Sequence, residues 1–363
     1  MGNPVNRATG MALLSTMILL LAVTTALATI FYRHQLATGM AARALHGDQA
    51  ILLALSAESW VSDLLNNSQD SHDSDHLEED WAQPLPPLPL EGGELRGCLR
   101  DLQAKINLNN FTALAEPHSS PLAQAWMALL VDSGAQLQQP LQPRQLLATT
   151  VDWLDSDEQP QADGGQEYYP YANGQAQRFP ANRPIADVAE LAAVAGFNLS
   201  LAVAVERYTT ALPAATAVNI NTASSELLTA LGQASSSAGF DGEQFASWVE
   251  SARPFATLAD FQRGVAQQSG ADDAAVATRW PASLVSVSSD FFELIAQISL
   301  GQANLEYRAL LDRRDRSSPV VIARTLHWVP AVAPPTDAEQ RLRQLRELAP
   351  MCHSGQQQLL SGE

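Results

Sequence analysis

Lysine is nearly missing from this chain. Its 363 residues carry 39 Asp and Glu against 21 Lys and Arg, a net charge of −18, and Lys105 is the one lysine. Proteins that grip a nucleic-acid backbone do so with cations that displace condensed counterions, so this balance argues against a nucleic-acid partner. Catalytic constellations are missing as well. No Ser-His-Asp, Cys-His or HExxH arrangement is present and the seven histidines are scattered, so the chain reads as something other than an enzyme. Proline is absent from residue 5 to residue 83, and no charged side chain occurs between Arg7 and Arg33. Both absences favour one long helix near the start of the chain. Cysteine is limited to Cys98 and Cys352. An oxidising compartment permits a disulfide between them, and two unpaired thiols are the other reading.

The uncharged run from Met11 to Tyr32 is long enough to cross a bilayer, since an α-helix rises about 1.5 Å per residue and the hydrocarbon core is roughly 30 Å thick. No small-x-small cleavage site followed by a loop ends it. Instead Leu36, Met40, Leu45, Leu52, Leu55 and Leu64 continue at roughly helical spacing, with Arg43, Asp48 and Glu58 between them. One helix is expected over 11–65. Arg7 lies on the short side of the run and Asp63, Asp70, Asp73, Asp75, Glu78, Glu79 and Asp80 lie beyond it. That asymmetry places the N-terminus in the cytoplasm and the bulk of the chain in the periplasm, with a single pass through the inner membrane.

Residues 66–92 read as a linker, with His72 and His76 in an acidic run and then Pro84, Pro86, Pro87 and Pro89. His72 and His76 could hold a metal, though a solvated acidic loop explains them too. Trp81 suggests an ordered segment passing over the surface. A strand follows near Glu94–Leu102, so 66–111 form the linker and first strand. Helices are expected at 121–132, 142–154, 184–195, 199–210, 224–232, 242–252, 257–267 and 271–279, which makes 112–284 a helical domain. From Ser286 the period becomes two, and three strands form a meander closing at residue 330. A tail over 331–363 carries a short helix near 337–348. The fold class is α+β: a long N-terminal helix packed on an antiparallel sheet, with a large, mostly α-helical domain inserted into that sheet.

Thr9-Gly10-Met11-Ala-Leu-Leu-Ser15 resembles a type IV prepilin leader and stem. Such leaders, here residues 1–10, are cut after the glycine by prepilin peptidase. Met11 then becomes the mature, methylated N-terminus, and the apolar helix is retained. Pilin-like subunits usually carry Glu at the fifth mature position, where this chain has Ser15. A subunit without that carboxylate has nothing to offer a neighbour's terminal amine, which suits a filament tip. Five further stretches, Ile106-Asn-Leu-Asn109, Asp152-Trp-Leu-Asp-Ser-Asp157, Ala181–Leu191, Val218-Asn-Ile-Asn-Thr-Ala-Ser-Ser-Glu-Leu-Leu228 and Ile295-Ala-Gln-Ile-Ser-Leu300, complete a resemblance to the type II secretion minor pseudopilin K (general secretion pathway protein K) family. The resemblance implies a pilin-like fold and a tip subunit that initiates or caps the pseudopilus for export of folded proteins across the outer membrane. The implied partners are the minor pseudopilins H, I and J, the major pseudopilin and the inner-membrane assembly platform.

The acidic loop after Asp152 gathers hard oxygen donors, the kind calcium takes six to eight of. Its spacing approaches an EF-hand loop, but Pro160 replaces the central glycine and Glu167 falls one residue late. A solvated acidic loop accounts for the composition equally well. The family resemblance implies calcium, since some members bind it in the matching loop. Asp155, Asp157, Gln159 and Glu167 are then the expected ligands, with Asp163 a weaker one. The stretch Val218–Leu228 also resembles a helix-hairpin-helix unit, which keeps a second reading open: a membrane-anchored periplasmic DNA-binding protein of a competence-type system. The acidic surroundings oppose it.

Overall fold

The computed structural model describes residues 9–66, 74–83, 87–113, 119–137, 142–167, 169–170, 177–235 and 241–329. Helix α1 (Thr9–Asn66) runs for 58 residues. From Met11 to Leu45 every side chain is exposed. The polar groups inside the apolar run are satisfied by the helix itself. The hydroxyls of Ser15, Thr16, Thr24, Thr25 and Thr29 donate to carbonyls of the preceding turn, as lipid requires.

Beyond the stem, β1 (Leu88–Leu90) and β2 (Gly93–Asp101) open a sheet. The chain then leaves through β3 (Ile106–Asn107), α2 (Pro121–Gln136) and α3 (Pro143–Leu154). It continues with β4 (Tyr169–Pro170), β5 (Gln177–Arg178), α4 (Leu199–Glu206), β6 (Thr209–Thr210) and β7 (Val218–Asn219). Helices α5 (Ser225–Ala234), α6 (Gly242–Ala252), α7 (Leu258–Ser269) and α8 (Asp273–Arg279) follow, then β8 (Val285–Ser286). The chain returns to the first sheet with β9 (Phe291–Leu300), β10 (Ala303–Asp312) and β11 (Val320–Trp328). The sheet order is β1-β2-β9-β10-β11, antiparallel throughout. The helical block is therefore spliced between β2 and β9, as expected.

Two cores result. Ala50, Ala54, Val61 and Leu65 of the stem pack on Leu294, Ile298, Leu305 and Tyr307 of the sheet's inner face. The close approach of β2 to β9 needs glycine at 93, where a Cβ would fall 1.8 Å from the Ser299 carbonyl oxygen. The second core lies in the insert, around Trp126, Leu129, Leu227, Phe245, Phe261 and Trp280.

The two Asn-rich stretches hold the insert's framework together. Each opens a two-residue parallel bridge, β3 with β6 and β7 with β8. The Asn109 amide donates to Ile185 and Leu212 carbonyls, each at 2.9 Å, and its Oδ1 accepts from Ile185 N at 2.8 Å. Asn221 does the same for Phe255, donating to its carbonyl at 3.0 Å and accepting from its N–H at 2.8 Å. Buried amide groups satisfied in this way act as backbone would in a longer sheet.

Some expectations change. Residues 184–195 contain a 3-10 turn, Val188–Ala193, instead of an α-helix. Asp187 and Glu190 form a reciprocal capping box, and Gly196, with φ +87°, ends the segment one turn later. Trp81 does not lie over the surface. It is buried against Phe292 in an edge-to-face contact at 5.1 Å. Of the two linker histidines, His72 lies outside the described residues, while His76 sits 3.8 Å from Glu79 as a local pair. The expected helix near 337–348 lies outside the described residues.

A buried polar seam joins the two cores. Arg313 Nη2 donates to Asp75 Oδ1 at 2.5 Å and to the Ser289 carbonyl at 3.0 Å. Ser289 N donates to Asp75 Oδ2 at 2.7 Å. Asp101 Oδ2 accepts from Thr222 Oγ1, Ser289 Oγ and Asn219 Nδ2. Burial raises the Asp101 carboxyl to about 6 against the hydroxyl donors that lower it. Burial likewise raises Glu79 to about 7, opposed by the His76 N–H. Both folded values lie above the ordinary carboxylate range, so the folded chain holds these protons more tightly than the unfolded one. Their stabilisation is complete below about pH 4 and is lost as pH rises through 6 and then 7. Thermal melting across pH 4–8 should show a falling midpoint over that window, with a flatter upper half in Glu79→Gln. A midpoint that rises there would contradict the assignment.

Candidate functional site

Two features carry functional meaning: the stem and the acidic loop. Gly10 and Met11 lie in the first turn of α1, and Met11 is 75% exposed. Ser15 donates to the Ala12 carbonyl at 2.9 Å, so its hydroxyl is bound within its own helix.

The loop begins where α3 stops. Asp155 is extended, at φ −74° and ψ 169°, and its N–H closes on the Val151 carbonyl. Asp163 and Gly164 take left-handed backbone at φ 66° and 96°, which turns the chain back on α3. Gly165 then passes so near the helix end that a Cβ there would fall 2.4 Å from Asp152 Oδ2. The return brings Glu167 over the last turn of α3. One ligand oxygen each from Asp152, Asp155 and Glu167 lie within 4.8 Å of one another.

Among the described residues, four buried oxygens of this group have no hydrogen-bond donor: Asp152 Oδ2, Asp155 Oδ1 and both Glu167 oxygens. The two remaining oxygens accept from Gln161, whose N–H meets Asp152 Oδ1 at 2.9 Å and whose Nε2 meets Asp155 Oδ2 at 3.3 Å. Burial pushes the Glu167 carboxyl up to about 7, and Asp152, Asp155 and Asp157 add to the rise. Asp152 and Asp155 are raised too, by burial first and by their acidic neighbours after it. Converging, undonated, buried carboxylates are unfavourable without a cation between them. The donor set is all oxygen, on a turn shaped by Gly164, Gly165 and the end of α3, and fits a hard divalent cation.

The structure brings together two of the four expected ligands, Asp155 and Glu167, and adds Asp152. Asp157 and Gln159 do not join them. Both are exposed on the turn before Pro160, and Asp157 Oδ1 accepts from Gln159 N at 2.7 Å. Asp163 is exposed and faces Arg144 at 3.9 Å. The signal for Asp152 was its position three residues before Asp155, one helical turn away on the same side.

Cys98 is buried on β2 and disulfide-bonded. Cys352 lies outside the described residues. Lys105 is buried, donating to the Glu206 carbonyl at 2.8 Å, and burial lowers it to about 8. In the hairpin-like stretch, Asn219 and Asn221 are fully buried and Ser224 caps α5 by accepting from Leu227 N. The polar side chains of Asn219, Asn221 and Thr222 are buried, out of reach of a phosphate, and Glu226 is exposed.

A family model described as "Type II secretion system (T2SS), protein K" matches residues 104–214. "Type II secretion system protein K" of Klebsiella pneumoniae is 29% identical over 333 residues, covering 89% of this chain and 98% of that protein. Its namesake from Pseudomonas aeruginosa is also 29% identical, over 338 residues, covering 87% and 92%. Among solved structures, a chain of the GspK-GspI-GspJ complex from enterotoxigenic Escherichia coli shares the fold, with a TM-score of 0.62 at 22% identity. The match covers 77% of this chain and 96% of that one. The DNA-binding reading finds no support in these relatives. With an apolar stem, a pilin-like sheet and a spliced helical insert in one order, the chain is similar over most of its length to the type II secretion system protein K proteins, which are minor pseudopilins.

Proposed function

We propose that this minor pseudopilin sits at the tip of the pseudopilus, where it initiates or caps assembly, with its stem in the inner membrane beforehand. The observation that carries the reading is Ser15. Its hydroxyl is bound within the stem, so the helix offers no carboxylate to a subunit above it. The solved complex of GspK with GspI and GspJ supports counterparts of those two proteins as partners. The remaining minor pseudopilin H, the major pseudopilin, the assembly platform and prepilin peptidase complete the set. The N-terminus faces the cytoplasm and the head faces the periplasm. Intact-mass analysis of the protein from cells with and without prepilin peptidase tests the stem's role. Loss of residues 1–10, leaving a methylated Met11, is expected. A mature chain that starts at Gly2 or beyond Tyr32 would overturn it.

We further propose that calcium occupies the acidic loop, held by Asp152, Asp155 and Glu167, with a purely structural role. The four undonated buried oxygens support this. A cation bound only by the folded state stabilises by about 2.7 kcal/mol at one hundred times its Kd. Chelation should therefore lower the melting midpoint, and added calcium should restore it. Asp152→Asn should melt at the chelated value with or without the ion. If chelator leaves the wild-type midpoint unmoved, the loop holds no calcium.

A further inference from the structure

The sheet has two faces, and the one turned away from α1 is shielded on one side only. Cys98 on β2 pairs in register with Ile295 on β9, and both side chains point to this outer face. Cys98 is 6% exposed and Ile295 1%. Neither belongs to the stem–sheet core or to the insert core. Their charged neighbours on the same face, Arg96 and Glu293, have side chains only 12% and 18% exposed. Two strands away the same face is open. Ala323, Thr325 and His327 of β11 are all exposed. Between them, Glu306 and Arg308 of β10 are half-buried, so the cover is deepest over β2 and β9 and fades toward β11.

We propose that this patch is the docking surface of the chain's own C-terminal tail, latched by a Cys98–Cys352 disulfide. Cys98 is disulfide-bonded, and Cys352 is the chain's one other cysteine. Described structure ends at Val329, directly after β11. Crossing from β11 to β2 spans three strand spacings, about 14 Å. Residues 330–351 can stretch roughly 75 Å, so reach is ample. The tail's composition suits the patch. Leu342, Leu345 and Leu348 recur at every third position and Met351 precedes the cysteine, which supplies apolar groups for Ile295. Arg341, Arg343, Arg346, Glu339 and Glu347 match a rim that itself mixes Arg96 and Arg100 with Glu94 and Glu293. Closing the latch joins the two Sγ atoms. The thiols give up two protons and two electrons to a disulfide oxidant of the thiol-exchange class, which leaves as a dithiol. A seated tail also takes this sheet face out of reach of any partner subunit.

Full-length protein in detergent, digested without reductant, should give one linked peptide pair containing Cys98 and Cys352. A Cys98–Cys98 link between copies would overturn the proposal. The second measurement separates cover from bond. With the bond removed by Cys352→Ser, Cys98 should react with a maleimide at least tenfold more slowly than in a chain ending at Val329. If the shortened chain does not fold, Leu345→Asp with Leu348→Asp in the Cys352→Ser background gives the same comparison. Equal labelling rates with and without a competent tail would overturn the docking.

Discussion

Asp75→Ala lowers the stability of the head by about 3–5 kcal/mol, the scale for removing one partner of a buried ion pair. Arg313 is 3% exposed, and its guanidinium lies between the Asp75 carboxylate and the Phe292 ring, 4.8 Å from the ring centre. Without Asp75 that charge remains buried, with the Ser289 carbonyl as its remaining described acceptor among these contacts. Ser289 N loses its acceptor at the same time. The loss comes from desolvation without compensation, more than from any special strength of the pair. A double variant, Asp75→Leu with Arg313→Met, should therefore recover most of the stability in urea or thermal unfolding. If the double variant is as damaged as the single one, the seam's contribution is shape and not charge.

This seam was also the part of the fold least visible in the sequence. The stem was legible because its signal is local and continuous: no proline for 79 positions after Pro4, no charge over 11–32. The closing strands were legible because alternation along β10 is regular, buried and half-buried residues taking turns from Ala303 to Asp312. Asp75 and Arg313 stand 238 positions apart, and Asp101 and Thr222 stand 121 apart. Nothing in the neighbourhood of any of them announces a partner. The acidic loop fell between these cases. Asp155 and Glu167, expected from the family resemblance, lie together with Asp152 at the end of α3. Asp157 and Gln159 came from the same resemblance, yet both are exposed on the turn before Pro160. Asp152 was passed over because it sits inside a helix, where a carboxylate reads as part of the helix and not of the loop.

Trp280→Ala should cost about 3–5 kcal/mol, the range for truncating a buried aromatic side chain. Trp280 is 1% exposed, stacks on Phe245 at 4.9 Å and 9°, and meets Phe261 edge-on at 5.5 Å. Its Nε1 has no hydrogen-bond partner among the described residues, so the loss is one of packing and ring contacts. Trp280→Phe keeps a ring on Phe245 and should be damaged much less. Where the damage appears tells how the molecule is divided. Trp280 belongs to the insert core, which shares no buried residue with the stem–sheet core. Hydrogen exchange in Trp280→Ala should accelerate through α5, α6 and α7 while β9 and β10 stay protected, because sub-global opening follows contiguous packed units. The stem would then keep its sheet, and with it the pilin-like part of the subunit, while the insert loosens above it. Equal acceleration in both regions would mean that the polar seam couples the two cores into one cooperative unit, and Asp75→Ala would then have to loosen both as well.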